Sequence, residues 1–213
     1  MTGSGRTVLP TRAELLAIRR KIVLAEKAHR LLKIRRDALL LDLVKRARTL
    51  RPRYDQMEAR YRNAEKELMA ALIMAGTAGV TLAAFSVEEH PSVAVEYQNL
   101  VGLPLPRFHP VNVAKSLDER GYGLLGTSSV IDDAADACEG MVDEIITMAE
   151  VRTQVLLLLR EIGILTRRVN ALEKMLLPDL KARERTIGSI RDEREREEFN
   201  RLFLIKRKKN RTG

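Results

Sequence analysis

Apolar residues recur every seven positions through the last third of this 213-residue chain, at Met141, Met148, Val155, Ile162, Val169 and Leu176. The other seam position of the same heptad holds Cys138, Ile145, Arg152, Leu159, Thr166 and Glu173, a mixture of apolar and polar residues. A sustained seven-residue repeat is the pattern of a helix supercoiled on a helical partner, because that period keeps one seam facing the neighbour. Residues 130–209 are therefore predicted to form one amphipathic helix. At about 1.5 Å per residue it would extend on the order of 120 Å. A rod of that length needs a partner along its seam.

The other end of the chain supplies a candidate. Residues 1–11 are short and polar, carry neither a signal peptide nor a membrane span, and are expected to be flexible. Thr11-Arg12-Ala13-Glu14 is a capping box, in which the Thr hydroxyl and the Glu carboxylate satisfy free amides of a first helical turn. Beyond it, Leu15, Ile18, Ile22, Ala25, His29, Leu32, Arg36, Leu39, Leu43 and Leu50 occupy seam positions three or four apart. The pattern defines a helix over 12–76, with Gly76 and Gly79 as stop signals. Pro52 lacks an amide and crowds the preceding turn, so a kink or break is expected near residues 49–53.

Residues 77–129 read differently. Val80 to Glu89 and Val93 to Tyr97 alternate well enough to be two short strands, with Glu88-Glu89-His90-Pro91-Ser92 as the turn. Leu103-Pro104-Leu105-Pro106 is excluded from a sheet interior because neither proline donates a ladder hydrogen bond. Gly121, Gly123 and Gly126 keep the chain irregular until Ser129, which with Asp132 resembles a helix start. This stretch is too small for a core of its own. The fold expected is thus all-α: a long antiparallel two-helix coiled coil from the terminal segments, with a small β-hairpin and irregular loops in the middle, and a short tail at 210–213.

Composition fits a narrow buried seam, since aromatic residues are 4% and charged residues 31% of the chain. The single cysteine, Cys138, excludes an internal disulfide and suits a reducing compartment. The longest strongly apolar run is taken to be Val155 to Leu159, far short of a membrane span, so a soluble or peripheral protein without direct membrane insertion is expected. Charge is uneven. Residues 12–53 carry 14 Lys/Arg against 4 Asp/Glu, and residues 181–213 carry 12 against 6. Antiparallel pairing sets these basic stretches side by side, and like charges so packed call for an acidic or polar counterpart on a partner.

Lys206-Arg207-Lys208-Lys209 and the Arg-rich first helix could release counterions from nucleic-acid phosphates. No helix-turn-helix spacing, zinc ligand set or aromatic-interleaved basic surface accompanies them, so a solvated or frayed tail is the plainer account of the run and a protein socket is favoured over nucleic acid as the target. His29, His90 and His109 share no metal-ligand spacing with Cys138. His29 reads as a packed seam residue, His90 and His109 as turn residues before prolines, and Cys138 as a small apolar seam residue. Neither a phosphate-cradling loop nor a dinucleotide-binding glycine set is present. No cofactor, metal or catalytic residue is expected. The residues alone point to a basic helical scaffold, freestanding or nucleic-acid-associated.

Pro10-Thr11-Arg12-Ala13-Glu14-Leu15, Leu31-Leu32-Lys33 and Arg35-Arg36-Asp37-Ala38-Leu39 resemble the opening helix of the D subunits of the V-type/A-type rotary ATPases. Thr166-Arg167-Arg168-Val169-Asn170-Ala171-Leu172-Glu173, Pro178 and Arg194-Glu195-Arg196-Glu197-Glu198 with Phe199 and Leu202 resemble their closing helix, in the same order and separation. The resemblance implies a non-catalytic rotor shaft, its paired termini in the bore of a hexamer of catalytic A and B subunits. The small F subunit would lie along the shaft, and a cap subunit of the C/d type would carry its far end above the membrane ring. The complex would sit on the cytoplasmic face of the cell membrane, with no direct contact to nucleic acid. On that basis Arg12, Arg19, Arg20, Arg167, Arg168, Arg194, Arg201 and Lys206 are expected to meet partner subunits. Val151, Leu158, Leu165 and Leu172, on the flank of the seam, are expected either to pack on the F subunit or to be covered by the chain's own middle. Gly163 and Pro178 interrupt the long helix and would let it curve.

Overall fold

The structure is a computed structural model that describes residues 11–87, 91–116, 120–121 and 128–212. A helix α1 (Arg12–Phe85) leads to strands β1 (Ser92–Leu100) and β2 (Leu103–Val111). Helix α2 (Ser129–Ala171), a π-helical turn (Leu172–Leu176) and helix α3 (Leu177–Thr212) follow. The long N-terminal helix packs with the C-terminal helical segment, and a two-stranded antiparallel sheet lies between them in the chain, as the heptads and the loss of helical period predict. Two compact units result, Met1–Asp37 with Gly163–Gly213, and Ala38–Ile162.

In the first unit, α1 begins where Thr11 Oγ1 accepts the Glu14 N–H at 3.2 Å, satisfying one of the free first-turn amides. Leu15, Ile18, Ile22 and Ala25 then present one face at spacings of three and four, and Leu180, Ile187 and Leu177 pack against it. Upstream of Pro178 the helix widens into the π-turn, with Leu177 N–H donating to Leu172 O. Proline crowds the carbonyl four residues before it, here that of Lys174 inside the widened turn.

The second unit differs from its sequence reading in several places. Helical structure is continuous through Pro52, and the break falls at Gly76 (φ 72°, ψ 165°), a conformation open to glycine alone among the residue types nearby. The chain resumes as helix and runs to Phe85, so residues 80–85 are not a strand. Alternation of Val, Leu and Ala with Thr fits either period over so short a run. Ala71 and Ala83 meet Ile131 and Ala134 in a small core, the alanines permitting close approach of the backbones. Residues 68–85 carry no Asp, Glu, Lys or Arg. Contrary to the expectation of a longest apolar run at Val155 to Leu159, α1 therefore contains a window long and apolar enough, by length and composition, to cross a membrane.

The hairpin is formed by β1 and β2, with Leu100 opposite Leu103 around a turn at Val101 (φ 50°) and Gly102 (φ 80°). Two positive φ values make the primed turn that matches strand twist, and Gly102 N–H donates to Asn99 Oδ1 at 2.9 Å. The Leu103–Pro106 segment is thus strand, with prolines on the side turned away from the ladder, where no donor is required. That side is seated on α2: Phe108 N–H donates to Glu150 Oε2 at 2.9 Å, and buried Gln154 donates from Nε2 to Pro106 O at 2.7 Å. Arg46 of α1 donates to Gln154 Oε1, tying both helices to the hairpin. Before α2, buried Arg120 pairs with Asp136 and, at 3.0 Å, with Glu139, while the neighbouring Gly121 (φ 78°) lies against Ser86. Of the expected turn and loop residues, 88–90, Gly123 and Gly126 fall outside the described residues.

Candidate functional site

The basic residues expected to meet partners are on the outside. Arg12 pairs with Glu195 at 3.0 Å, Arg19 with Glu184 at 2.8 Å, and Lys181 with Glu26 at 2.8 Å, so acids on each helix interleave with bases on the other. This relieves much of the like-charge repulsion that the composition implied. Such exposed pairs contribute only about 0–1 kcal/mol each, and their cations stay largely solvated. Arg20, Arg167, Arg168, Arg194 and Lys206 are exposed, and Arg201 reaches Glu197 at 3.8 Å within its own helix.

The apolar candidates divide. Leu158 and Leu165 are fully buried, at 0% exposure, and cannot present a face to another chain. Val151 and Leu172 are half-buried. The burial also corrects the second seam position: Ile145 and Leu159 are exposed, and the phase that holds Leu158 and Leu165 faces inward instead. A stripe with four apolar phases fits two seams equally well, and the period alone does not choose between them.

Among the exposed apolar residues described, two clusters are not among the expected partner contacts. On α1, Leu16, Val23 and Leu24 line an open groove with Arg19, Arg20 and Lys27. Their signal is present in the sequence, since these leucines and this valine fall outside the three-four seam. On α3, Phe199, Leu202, Phe203, Leu204 and Ile205 are exposed in the turns before the basic terminus. Clustered exposed apolar residues rimmed by charge mark surfaces that other chains cover.

Chemistry is sparse. His29 Nε2 lies 3.5 Å from Glu173 Oε2, and His109, in β2 and not in a turn, has Nε2 3.4 Å from Glu96 Oε2. Each is an ion pair only with a protonated imidazole. Cys138 is half-buried and lines an apolar cavity of about 140 Å³ with Leu68, Ala71, Val80 and Ile131. Burial, and then the neighbouring Glu139 carboxylate, raise its thiol pKa, which is the opposite of what a nucleophile needs. Among the described residues no group of three His, Cys, Asp or Glu could hold a metal ion.

Paired terminal helices with solvated cations and exposed apolar faces define a helical polypeptide made for contact with other polypeptides. The family model for the D subunits of ATP synthases matches residues 14–207. The chain is 42% identical over 204 residues to the A-type ATP synthase D subunit of Haloquadratum walsbyi, covering 94% of this chain and 87% of the relative. It is 39% identical to the D subunits of the A-type ATP synthases of Methanoregula boonei, over 94% of this chain and 96% of that one, and Methanosarcina acetivorans, over 93% and 95%. The chain belongs to the family of ATP synthase D subunits.

Proposed function

We propose that this chain is the central-stalk rotor shaft of an A-type ATP synthase, carrying no catalytic step itself. The observation that carries the reading is family membership over nearly the whole chain, together with the packing of its two terminal helices. The paired termini stand in the bore of the hexamer of catalytic A and B subunits. Solvated cations such as Arg20, Arg194, Arg201 and Lys206 suit a surface that must slide past successive subunits, because screened charges guide an encounter without fixing it. Deep apolar hot spots would hold a rotor at one angle. The F subunit lies along the shaft, with half-buried Leu172 and the exposed Arg167 and Arg168 offered to it. The far end rests on a cap subunit of the C/d type, and the assembly sits at the cytoplasmic face of the cell membrane. As the asymmetric shaft turns, it forces the catalytic sites through open, loose and tight states, linking ATP synthesis or hydrolysis to ion flow.

Affinity purification of the tagged chain from its native membranes, washed at low and then high salt, tests this. Stoichiometric A and B subunits with a small F-sized partner are expected at both salt concentrations. A photo-crosslinker at position 20 or 194 should label A or B. Recovery of nucleic acid or ribosomal proteins lost at high salt, with no ATPase subunits, would overturn it.

A further inference from the structure

The two edges of the hairpin are built in opposite ways. Leu100 and Leu103 flank a two-residue turn and exchange ladder hydrogen bonds, so alternation turns the backbone groups of Pro104, Pro106, Phe108 and Pro110 away from β1. Three of those positions have no amide, being proline. The amide of Phe108 goes to Glu150, and the carbonyl of Pro106 accepts from Gln154. That edge is closed.

The edge of β1 is open. By the same register Val93, Val95, Tyr97 and Asn99 turn their N–H and C=O groups away from β2, and among the described residues nothing pairs with those amides. No proline, glycine or bulge interrupts Ser92–Leu100, and residues 92–99 are all exposed. Val93, Val95 and Tyr97 share one face, Tyr97 at 71% exposure. Natural edge strands are blunted by prolines, lysines or bulges, and this one carries none of them.

We propose that residues 93–99 receive an extended strand from another polypeptide of the complex, added to the sheet through main-chain hydrogen bonds. The incoming strand is apolar at alternate positions, to cover Val93, Val95 and Tyr97, and polar on the Glu96 face. Glu96 has Arg107 opposite it in β2, and its other flank favours Lys or Arg on the newcomer. A second copy of this chain fits poorly. Antiparallel self-pairing centred on residue 95, 96 or 97 sets the two Glu96 carboxylates opposite or diagonally adjacent on one face. The inference rests on the chain being assembled with other subunits, and not on which of them surrounds its paired termini.

Amide hydrogen exchange of the peptide covering 92–100, in the free chain and in the complex reconstituted with the other ATP synthase subunits, is the test. The outward amides should exchange freely in the free chain and about 100-fold more slowly in the complex, the size of a modest local opening energy. Val95→Pro removes one outward amide and spares the ladder, as Pro106 and Pro110 do in β2. It should leave ladder protection in the free chain unchanged and abolish the added protection in the complex. Ala94→Pro, which removes a ladder amide, is the control that breaks the hairpin. Outward amides that stay fast after assembly, or full protection in the Val95→Pro complex, would overturn the proposal. Concentration-dependent protection in the free chain would overturn it in favour of self-pairing. If the wild-type chain does not co-assemble at all, the shaft reading fails together with this one, a result distinct from a complex with an unprotected edge.

Discussion

The backbone N–H of Leu177 donates to the carbonyl of Leu172, five residues back instead of four. That one extra residue explains the packing that follows. Upstream, Leu165 and Val169 are buried at heptad positions whose continuation would be Leu172 and Leu176. Downstream, Leu180 and Ile187 are in the core and half-buried Leu177 packs against it, each one position later than the unbroken heptad would place it. The widened turn absorbs the shift and leaves the seam facing α1.

Alanine substitution on the two sides of this register should therefore separate cleanly. Leu180 is 9% exposed and Leu176 42%. Leu180→Ala should destabilise the chain by about 2–4 kcal/mol in denaturant melts, and Leu176→Ala by less than about 1 kcal/mol. Equal losses would show that the helix is read in the wrong phase.

A second expectation concerns the hairpin turn. Val101 holds φ at 50°, a region that β-branched residues enter only under strain. Val101→Asn keeps the turn and removes the strain, so ladder amides such as those of Ala94 and Glu96 should gain about 1 kcal/mol of protection in hydrogen exchange.

Arg120 governs a third. It is buried among Asp132, Asp136 and Glu139, and its planar fork satisfies several oxygens at once. Arg120→Ala leaves a cluster of carboxylates without a cation and should cost about 3–5 kcal/mol. Arg120→Lys should recover only part of it, since an ammonium cannot span the same acceptors. Thermal melts of both variants at neutral pH decide the point.

Alkylation of Cys138 gives a pH-dependent readout. Burial and Glu139 raise the thiol pKa, so the reactive thiolate is scarcer than in an unfolded peptide at any pH near the ordinary thiol range. Iodoacetamide should label the folded chain more slowly than the denatured chain at pH 8.5, with the folded rate still climbing at pH values where the denatured rate has levelled. The sign for stability follows: the contribution of the neutral thiol is present below the unfolded pKa and lost as pH rises through the folded one.

The seam of α1 is legible in the sequence because Leu15, Ile18, Ile22, Ala25 and Leu39 follow a single phase, and all are buried. The phase of α2 is not, because Leu158 and Leu159 both continue an apolar row and only one can face inward. A fixed period of seven is also blind to the inserted residue at 172–176. Helical structure runs on through Pro52, whereas Gly76, a stop signal by residue type, is a break within a continuing helix. The strand pairing differs from the expected one because alternate prolines such as Pro104 and Pro106 do not forbid a strand and need only an outer edge. Of the partner-facing residues, the arginines are readable from charge, but Leu158 and Leu165 are not distinguishable from surface leucines without knowing the phase.

The prolines of β2 also limit what the hairpin can do when no other polypeptide is at hand. Fibrous cross-β growth requires each molecule to offer two open edges, one for the neighbour on either side. Here one edge lacks three donors and is held against α2, so edge-to-edge association of this chain ends at a pair and cannot propagate. The hairpin can be left unfilled during biosynthesis without seeding a filament.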